Sequence, residues 1–439
     1  MHPISRWSLN AAYAAALAAA SPAIAWSAWR TGKHREGYAE KLLGHAPERR
    51  GDRPCVWLHA VSVGEVNLLA VLIAELRDRR PDAEIVVSTT TKTGYDLATN
   101  RYGDRHTVFY CPLDFSWAAD EAVRRVRPDV LLLAELELWP NLIAAAKRHG
   151  ARVGVVNGRL SDSSFRGYSR VRPLLGPTLR SLDLVATQDA PTRERFIRLG
   201  ARRRVSAVTG SLKYDGAQTR RDNPRTRQLR SLAGYTDRHT VWLAGSTQTP
   251  EEAICLRVFE EARQDHPGLR LVLVPRHPER FDEVARVLDQ SGLPWTRRSE
   301  LQSAIGNPKP AILLVDTIGE LGAWWGVADI GFVGGSFGDR GGQNMIEPAA
   351  YGVATCFGPN TRNFRDIVAA LVEADGARVV ADEDALAAFV TACLELPAEA
   401  RELGRRAQGM VAVQLGAAGR TADLVQKLLP DAGRLRRAA

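Results

Sequence analysis

The chain repeats itself once, in a way that leaves few folds open. Val56-Trp-Leu-His-Ala-Val-Ser62 and Val241-Trp-Leu-Ala-Gly-Ser-Thr247 are both short apolar runs that end in a hydroxyl-bearing turn. Each feeds a helical pattern, 65–80 in one half and 250–266 in the other, and each helix stops at a proline, Pro81 or Pro267. A β-rich run follows in both places, 84–88 and 269–274. Apolar runs alternating with helices read as βαβ units around a parallel sheet. Two such beginnings in one register imply two similar doubly wound domains. Strands at 129–134, 152–157 and 182–187 continue the first half, and 311–315, 330–334 and 352–357 continue the second. A chain of 439 residues exceeds one ordinary core. The polar, arginine-rich stretch 215–239, broken by Pro224 and Gly234, reads as the connection.

Ligands of open α/β sheets bind beyond the carboxyl ends of the strands, and the polar motifs of this chain sit at such ends. Facing domains would gather them around one cleft. After the strand at 330–334 comes Gly334-Gly-Ser-Phe-Gly-Asp-Arg-Gly-Gly-Gln-Asn-Met-Ile-Glu-Pro348. Its glycines permit close approach of a ligand, and a helix start behind them is a natural seat for phosphate. A flexible surface loop is the plainer alternative. A dinucleotide oxidoreductase fails, because the first βα turn, His59 to Glu65, holds one glycine and no G-x-G-x-x-G. No nucleotide-triphosphate P-loop exists, and Asp382-Glu-Asp384 reads as helix-capping charge rather than a metal site. Five scattered cysteines without a C-x-x-C pair indicate neither a zinc knuckle nor a disulfide framework.

Several side chains at strand ends could do chemistry. Ser62-Val-Gly-Glu65 is a capping box, so capping alone explains it as well as catalysis does; Gly64 would let a substrate approach. Glu135 and Glu137 would point to one side if their strand continued. They suit sugar hydroxyls, or they cap the next helix. Arg159 suits an anionic group, or pairs with one of those glutamates. Lys92 and Lys213 could face an acidic sugar. Arg276, between prolines, is a candidate phosphate ligand, while His277 is as plausibly structural. Asp316-Thr-Ile-Gly-Glu320 could receive a base or ribose, or cap a helix.

The net charge of +9, mostly arginine, fits phosphate ligands or an anionic membrane. Nucleic acid is not expected, because the basic residues are scattered and no zinc-finger spacing or RNA-binding motif accompanies them. Residues 8–29 are uncharged and long enough to cross a bilayer, though half are alanine and Pro22 interrupts them. Ala23-Ile-Ala25 resembles a signal-peptidase site, but Arg30, Lys33 and Arg35 follow at once. The expectation is an uncleaved anchor on the cytoplasmic face, with a buried alanine-rich helix as the alternative.

Taken in order from about Trp29 to about Ala370, the motifs resemble the transferases of 3-deoxy-D-manno-octulosonic acid (Kdo). They include Arg-x-Gly-Tyr-x-Glu-Lys around Gly37, Ser-Val-Gly-Glu65, Glu-Leu-Trp-Pro-Asn141, Arg159-Leu-Ser161 and Gly-Ser-Leu-Lys-Tyr-Asp215. Val-Pro-Arg-His-Pro278, Asp316-Thr-x-Gly-Glu-Leu321, Asn344-x-x-Glu-Pro348 and Asn363-Phe-x-Asp-Ile367 complete the set. The resemblance implies an α/β GT-B fold of two Rossmann-like domains facing a cleft, to which the residues themselves add the expected N-terminal membrane-anchoring helix. It divides the chain into an anchor (1–35), an acceptor domain (36–220), a linker (221–238), a CMP-sugar-binding domain (239–425) and a basic tail (426–439).

The activity implied is inverting, metal-independent transfer of Kdo from CMP-Kdo to a lipid A precursor at the cytoplasmic face of the inner membrane, without a cofactor. Glu65 becomes the general base and Glu135 its assistant. CMP would meet Arg276, Asp316, Thr317, Gly319, Glu320, Gly335, Gly342, Asn344 and Glu347. Ser62, Gly64, Lys92, Arg159, Lys213, Gln343 and Asn363 would bind substrate. The chain departs from the family pattern where Gln248, Gln343 and Asn360 stand in place of histidines, keeping hydrogen bonds but losing titratable charge. A transferase with another donor or acceptor, or a membrane-bound scaffold without turnover, are the competing expectations.

Overall fold

The computed structural model describes residues 3–31, 36–301 and 310–430. The first sheet holds β1 (Cys55–His59), β2 (Glu84–Thr89), β3 (Thr107–Tyr110), β4 (Val130–Ala134), β5 (Arg152–Gly158), β6 (Leu184–Thr187) and β7 (Ser206–Val208). The second holds β8 (Thr240–Thr247), β9 (Leu269–Pro275), β10 (Trp295–Arg297), β11 (Ile312–Leu314), β12 (Ile330–Val333), β13 (Ala354–Phe357) and β14 (Ala377–Val379). Neighbouring strands pair in parallel throughout. Parallel sheets are covered by helices on both faces, so their strands must be apolar on both sides. Val-Leu-Leu-Leu-Ala in β4 and Ile-Gly-Phe-Val in β12 meet that demand, every residue being buried.

Strand order fixes where a ligand can enter. The first sheet runs β3-β2-β1-β4-β5-β6-β7, so the direction of winding reverses between β1 and β4. The second runs β10-β11-β9-β8-β12-β13-β14 and reverses between β8 and β12. In open parallel sheets such a reversal is where ligands bind, outside the carboxyl ends of the strands. The strands read from sequence are present with ends shifted by a residue or two. The short strands β3, β7, β10 and β14 were not legible, since three or four residues carry too little pattern.

The chain forms two compact units, Met1–Gly216 with Leu415–Ala439, and Ala217–Gln414. Helix Ala417–Gln426 thus belongs with the first unit, whereas the sequence division leaves 415–425 in the second. Ala417, Ala418, Ala422 and Val425 join the core beneath helix Val63–Arg79, with Leu69, Leu72 and Leu76. The Asp215 carboxylate accepts the N–H groups of Gly416 and Ala418, and Arg79 pairs with Asp423 at 2.9 Å. The stretch read as linker also carries structure: helix Pro224–Leu232, capped by Asn223, buries Thr226 and Leu229 in the second unit.

Residues Pro3–Thr31 form one helix containing Pro22. No described helix is long and apolar enough to cross a membrane. A spanning form of the expected anchor fails on its alanines, which are nearly neutral toward lipid. One face of the helix is instead latched to the first unit by polar groups. Asn10 bonds Ser116 (2.8 and 3.0 Å) and Asn141 (3.3 Å), and Tyr13 donates to Asp114 at 3.1 Å. Lys33 and Arg35 of the expected anchor, and residues 431–439 of the expected basic tail, lie outside the described residues.

Candidate active site

At the reversal of the first sheet, β1 runs into helix Val63–Arg79 through a cap built from its own sequence. Ser62 accepts the Glu65 N–H at 3.3 Å and donates its hydroxyl to Glu65 Oε1 at 2.8 Å. Glu65 Oε2 accepts the Val61 N–H at 2.9 Å, where a regular capping box would take the N–H of the cap residue itself. The carboxylate is therefore fixed in one pose yet only half-buried. Gly64 stands beside it with open space: an added Cβ would meet only Ser62 Oγ, at 3.8 Å. Nothing in the protein demands glycine there, although glycine weakens a helix by about 1 kcal/mol relative to alanine.

The neighbouring strand ends bring further charge to the same place. β4 stops at Ala134, and Glu135 turns into the left-handed region at φ 51°, so strand alternation does not align Glu135 with Glu137. A turn does that work instead. Burial raises the Glu135 carboxyl; Lys213 and Arg159 pull it down, and Glu65 pushes it up. Burial likewise raises Glu137, offset by the Trp139 indole N–H at 2.9 Å, while Glu65 and Glu135 raise it further. Asn157, buried at the end of β5, accepts the Leu212 N–H at 3.0 Å and so seats Lys213. Three carboxylates and two cations therefore share one corner. Lys92 is nearby but committed: its ammonium lies 3.2 Å from Glu36 and 3.1 Å from Asp96.

The reversal of the second sheet gathers the glycine-rich loop after β12, Gln248 after β8 and Arg276 after β9. The Arg276 side chain is exposed and its N–H bonds Thr247 at 3.0 Å. Gly342, at φ 79°, donates to the Gly335 carbonyl at 2.7 Å. The helix behind the loop, Ile346–Ala350, has five residues, and Asn344 takes its first N–H at 3.1 Å while donating to Glu347 at 3.0 Å. Burial raises the Glu347 carboxyl and the Asn344 bond opposes this. The helix start is thus capped by the chain itself. Asn363 and Asn360 brace the loop, donating to the carbonyls of Arg340 (2.8 Å) and Gly338 (2.7 Å).

The turn 316–320 is largely occupied by protein partners. Asp316 accepts the N–H (2.9 Å) and hydroxyl (2.6 Å) of Ser299. Glu320, barely exposed, is shared by Arg225, both arms of Arg298 and the Thr317 hydroxyl. Thr317 is therefore a bracing residue here, and Gly319, at φ 85°, allows the turn. Among the described residues, no three His, Cys, Asp or Glu side chains are arranged to hold a metal. Sequence reasoning missed Glu251, a buried carboxylate of the second unit that accepts four backbone N–H groups. No motif marked it, since three of its four partners lie 84–86 residues away.

A family model described as 3-deoxy-D-manno-octulosonic-acid transferase matches residues 34–216. The chain is 32% identical over 402 residues to a 3-deoxy-D-manno-octulosonic acid transferase of Haemophilus influenzae, covering 90% of this chain and 92% of that one. It is 33% identical over 433 residues to the Bordetella pertussis protein of the same name, covering 95% and 99%. Two solved structures share the fold at low identity. A UDP-GlcNAc 2-epimerase from Neisseria meningitidis gives a TM-score of 0.55 at 12% identity, over 85% of this chain and 100% of that one. A glycosyltransferase from Rickettsia africae gives 0.54 at 11%, over 86% and 99%. The two parallel sheets thus have a GT-B-like α/β fold, and the chain belongs to the 3-deoxy-D-manno-octulosonic acid transferase family of glycosyltransferases.

Proposed function

We propose that the protein transfers Kdo from CMP-Kdo to a lipid A precursor, with inversion and without a metal ion, at the cytoplasmic face of the inner membrane. The observation that carries the reading is Glu65, held by Val61 and Ser62 at the sheet reversal beside an open Gly64. Glu65 takes the proton of the acceptor hydroxyl as the bond to the anomeric carbon forms and CMP departs. A positioned base contributes about 10²–10⁴-fold. Glu135, flanked by Lys213 and Arg159, orients the acidic sugar or the acceptor. Arg276 and the carboxamides around the glycine-rich loop meet the charge that develops on CMP. Fixed donors of this kind act without reorganising during the reaction. Exposed Trp7, Trp26 and Trp29 along the N-terminal helix suit the membrane interface from which a lipid acceptor would come.

Purified protein incubated with CMP-Kdo and a tetra-acylated lipid A precursor should release CMP and yield a slower-migrating lipid. Binding of CMP-Kdo without release would instead indicate a scaffold. A second reading, a different donor, draws on Gln248 and Gln343, which lie where the family pattern has histidine; absence of both binding and release would favour it.

A further inference from the structure

The backbone N–H groups that open the glycine-rich loop are already taken. Gly335 donates to Glu251 Oε2 at 2.7 Å, and Ser336 and Phe337 donate to Oε1 at 2.9 and 3.1 Å. The Gln248 N–H adds a fourth bond, to Oε2 at 2.9 Å. Glu251 is 1% exposed. One buried carboxylate thus ties the end of β8 to the end of β12, across the reversal of the second sheet. The fit is tight: a Cβ on Gly334 would lie 2.7 Å from Glu251 Oε2 and 2.6 Å from Thr247 Cα.

What the tie arranges is the surface above it. The place where a Cβ on Gly335 would lie is 3.2 Å from the Gln343 carboxamide nitrogen and 3.4 Å from that of Gln248. Gln248 follows the end of β8 and Gln343 closes the loop that leaves the paired strand β12; they meet over Gly335, and Glu251 accepts the N–H groups of Gln248 and Gly335 beneath them. An anionic oxygen arriving there meets two carboxamides rather than the loop amides. We propose that Glu251 is the positioning residue of the donor site, the template on which the loop folds so that Gln248 and Gln343 receive the phosphate of a nucleoside monophosphate. The assignment rests on the donor reading above, and the loop geometry it invokes can be tested without that reading.

Hydrogen exchange on the full chain decides the geometry. The amides of 335–337 should be protected in the free protein, and CMP should leave that protection unchanged. Rapid exchange in the free protein, with protection appearing on CMP addition, would mean that phosphate takes these N–H groups and would overturn the assignment. The Glu251→Gln variant presents an N–H₂ to groups that need acceptors. It should raise the Kd for CMP and the KM for CMP-Kdo at least tenfold, leave the acceptor KM within twofold, and be partly rescued in Glu251→Asp. A folded Glu251→Gln protein with wild-type CMP affinity would refute the role. If the variant does not fold, the exchange pattern of the wild type decides alone. Should the wild type not bind CMP, the donor reading fails, while slow exchange at 335–337 would still uphold the Glu251 tie.

Discussion

In the proposed reaction Glu65 carries two duties that are usually separate. It closes a helix cap and still offers a fixed, half-exposed carboxylate to a substrate. Glu65→Gln separates the duties, since an amide retains one acceptor but takes no proton. Transfer should fall about 10²–10⁴-fold in single-turnover assays, while the melting point shows a loss near 1 kcal/mol, as for a weakened cap. Asp114 offers a different test. It accepts N–H bonds from Asn141 (3.1 Å) and Leu142 (2.8 Å) and the Tyr13 hydroxyl, yet burial outweighs them and pushes it up to about 7. The folded state then holds this proton more tightly than the unfolded state, where the carboxyl has its usual value of 3.8. Its contribution to stability is complete at low pH and is lost as pH rises from about 4 to 7. The ceiling on that loss is about 4 kcal/mol. Asp114→Asn should remove this slope, so the gap between the two melting curves should change between pH 4 and pH 8; parallel curves would count against it.

At the scale of elements, the βαβ repeat was readable because apolar strands, helix lengths and terminal prolines agree with one another. Glu65, Glu135 and Arg159 were read at the ends of β1, β4 and β5 for the same reason. The geometry of their approach, and the place of Lys213, were not readable. They depend on Glu135 and Asn157 adopting positive φ, at 51° and 54°, and on Asn157 seating the 212–213 turn, none of which leaves a periodic trace. Glu320 looked like a ligand residue and is a hub for two arginines, because its partners lie 95 and 22 residues away. The loop–strand junction yields a sharp expectation. Gly334→Ala places a methyl against Thr247 Cα, Glu251 and the Ser246 carbonyl, at 2.6–2.8 Å. Thermal denaturation should show a cost of about 1–3 kcal/mol, with CMP affinity falling in parallel.

Across the whole molecule, the N-terminal helix docks through Asn10 and Tyr13 and exposes Trp26 and Trp29, the residues that the proposed membrane contact would use. Trp26 and Trp29 are 60% and 72% exposed, with ring centroids 5.3 Å apart. Trp26→Ala/Trp29→Ala should weaken partition onto anionic vesicles, measured by flotation, without changing CMP binding. Unchanged partition would count against a membrane contact at these residues. The Asn10 and Tyr13 latch was not visible in the sequence, since it joins residues more than 100 positions apart; the tail after Gln414 was expected to help hold the two halves together, and the structure returns its helix to the first unit. That return bears on how the protein is made. Helix Ala417–Gln426 supplies core to a unit whose other described strands end at Val208. During synthesis the amino-terminal unit therefore waits, with one face of its second helix bare, while the intervening unit emerges. At about 5–20 residues per second, that wait lasts roughly 10–40 s. Of the two units, the one whose strands are translated earlier is completed later, and over that interval it exposes the apolar face that Ala417, Ala418, Ala422 and Val425 cover.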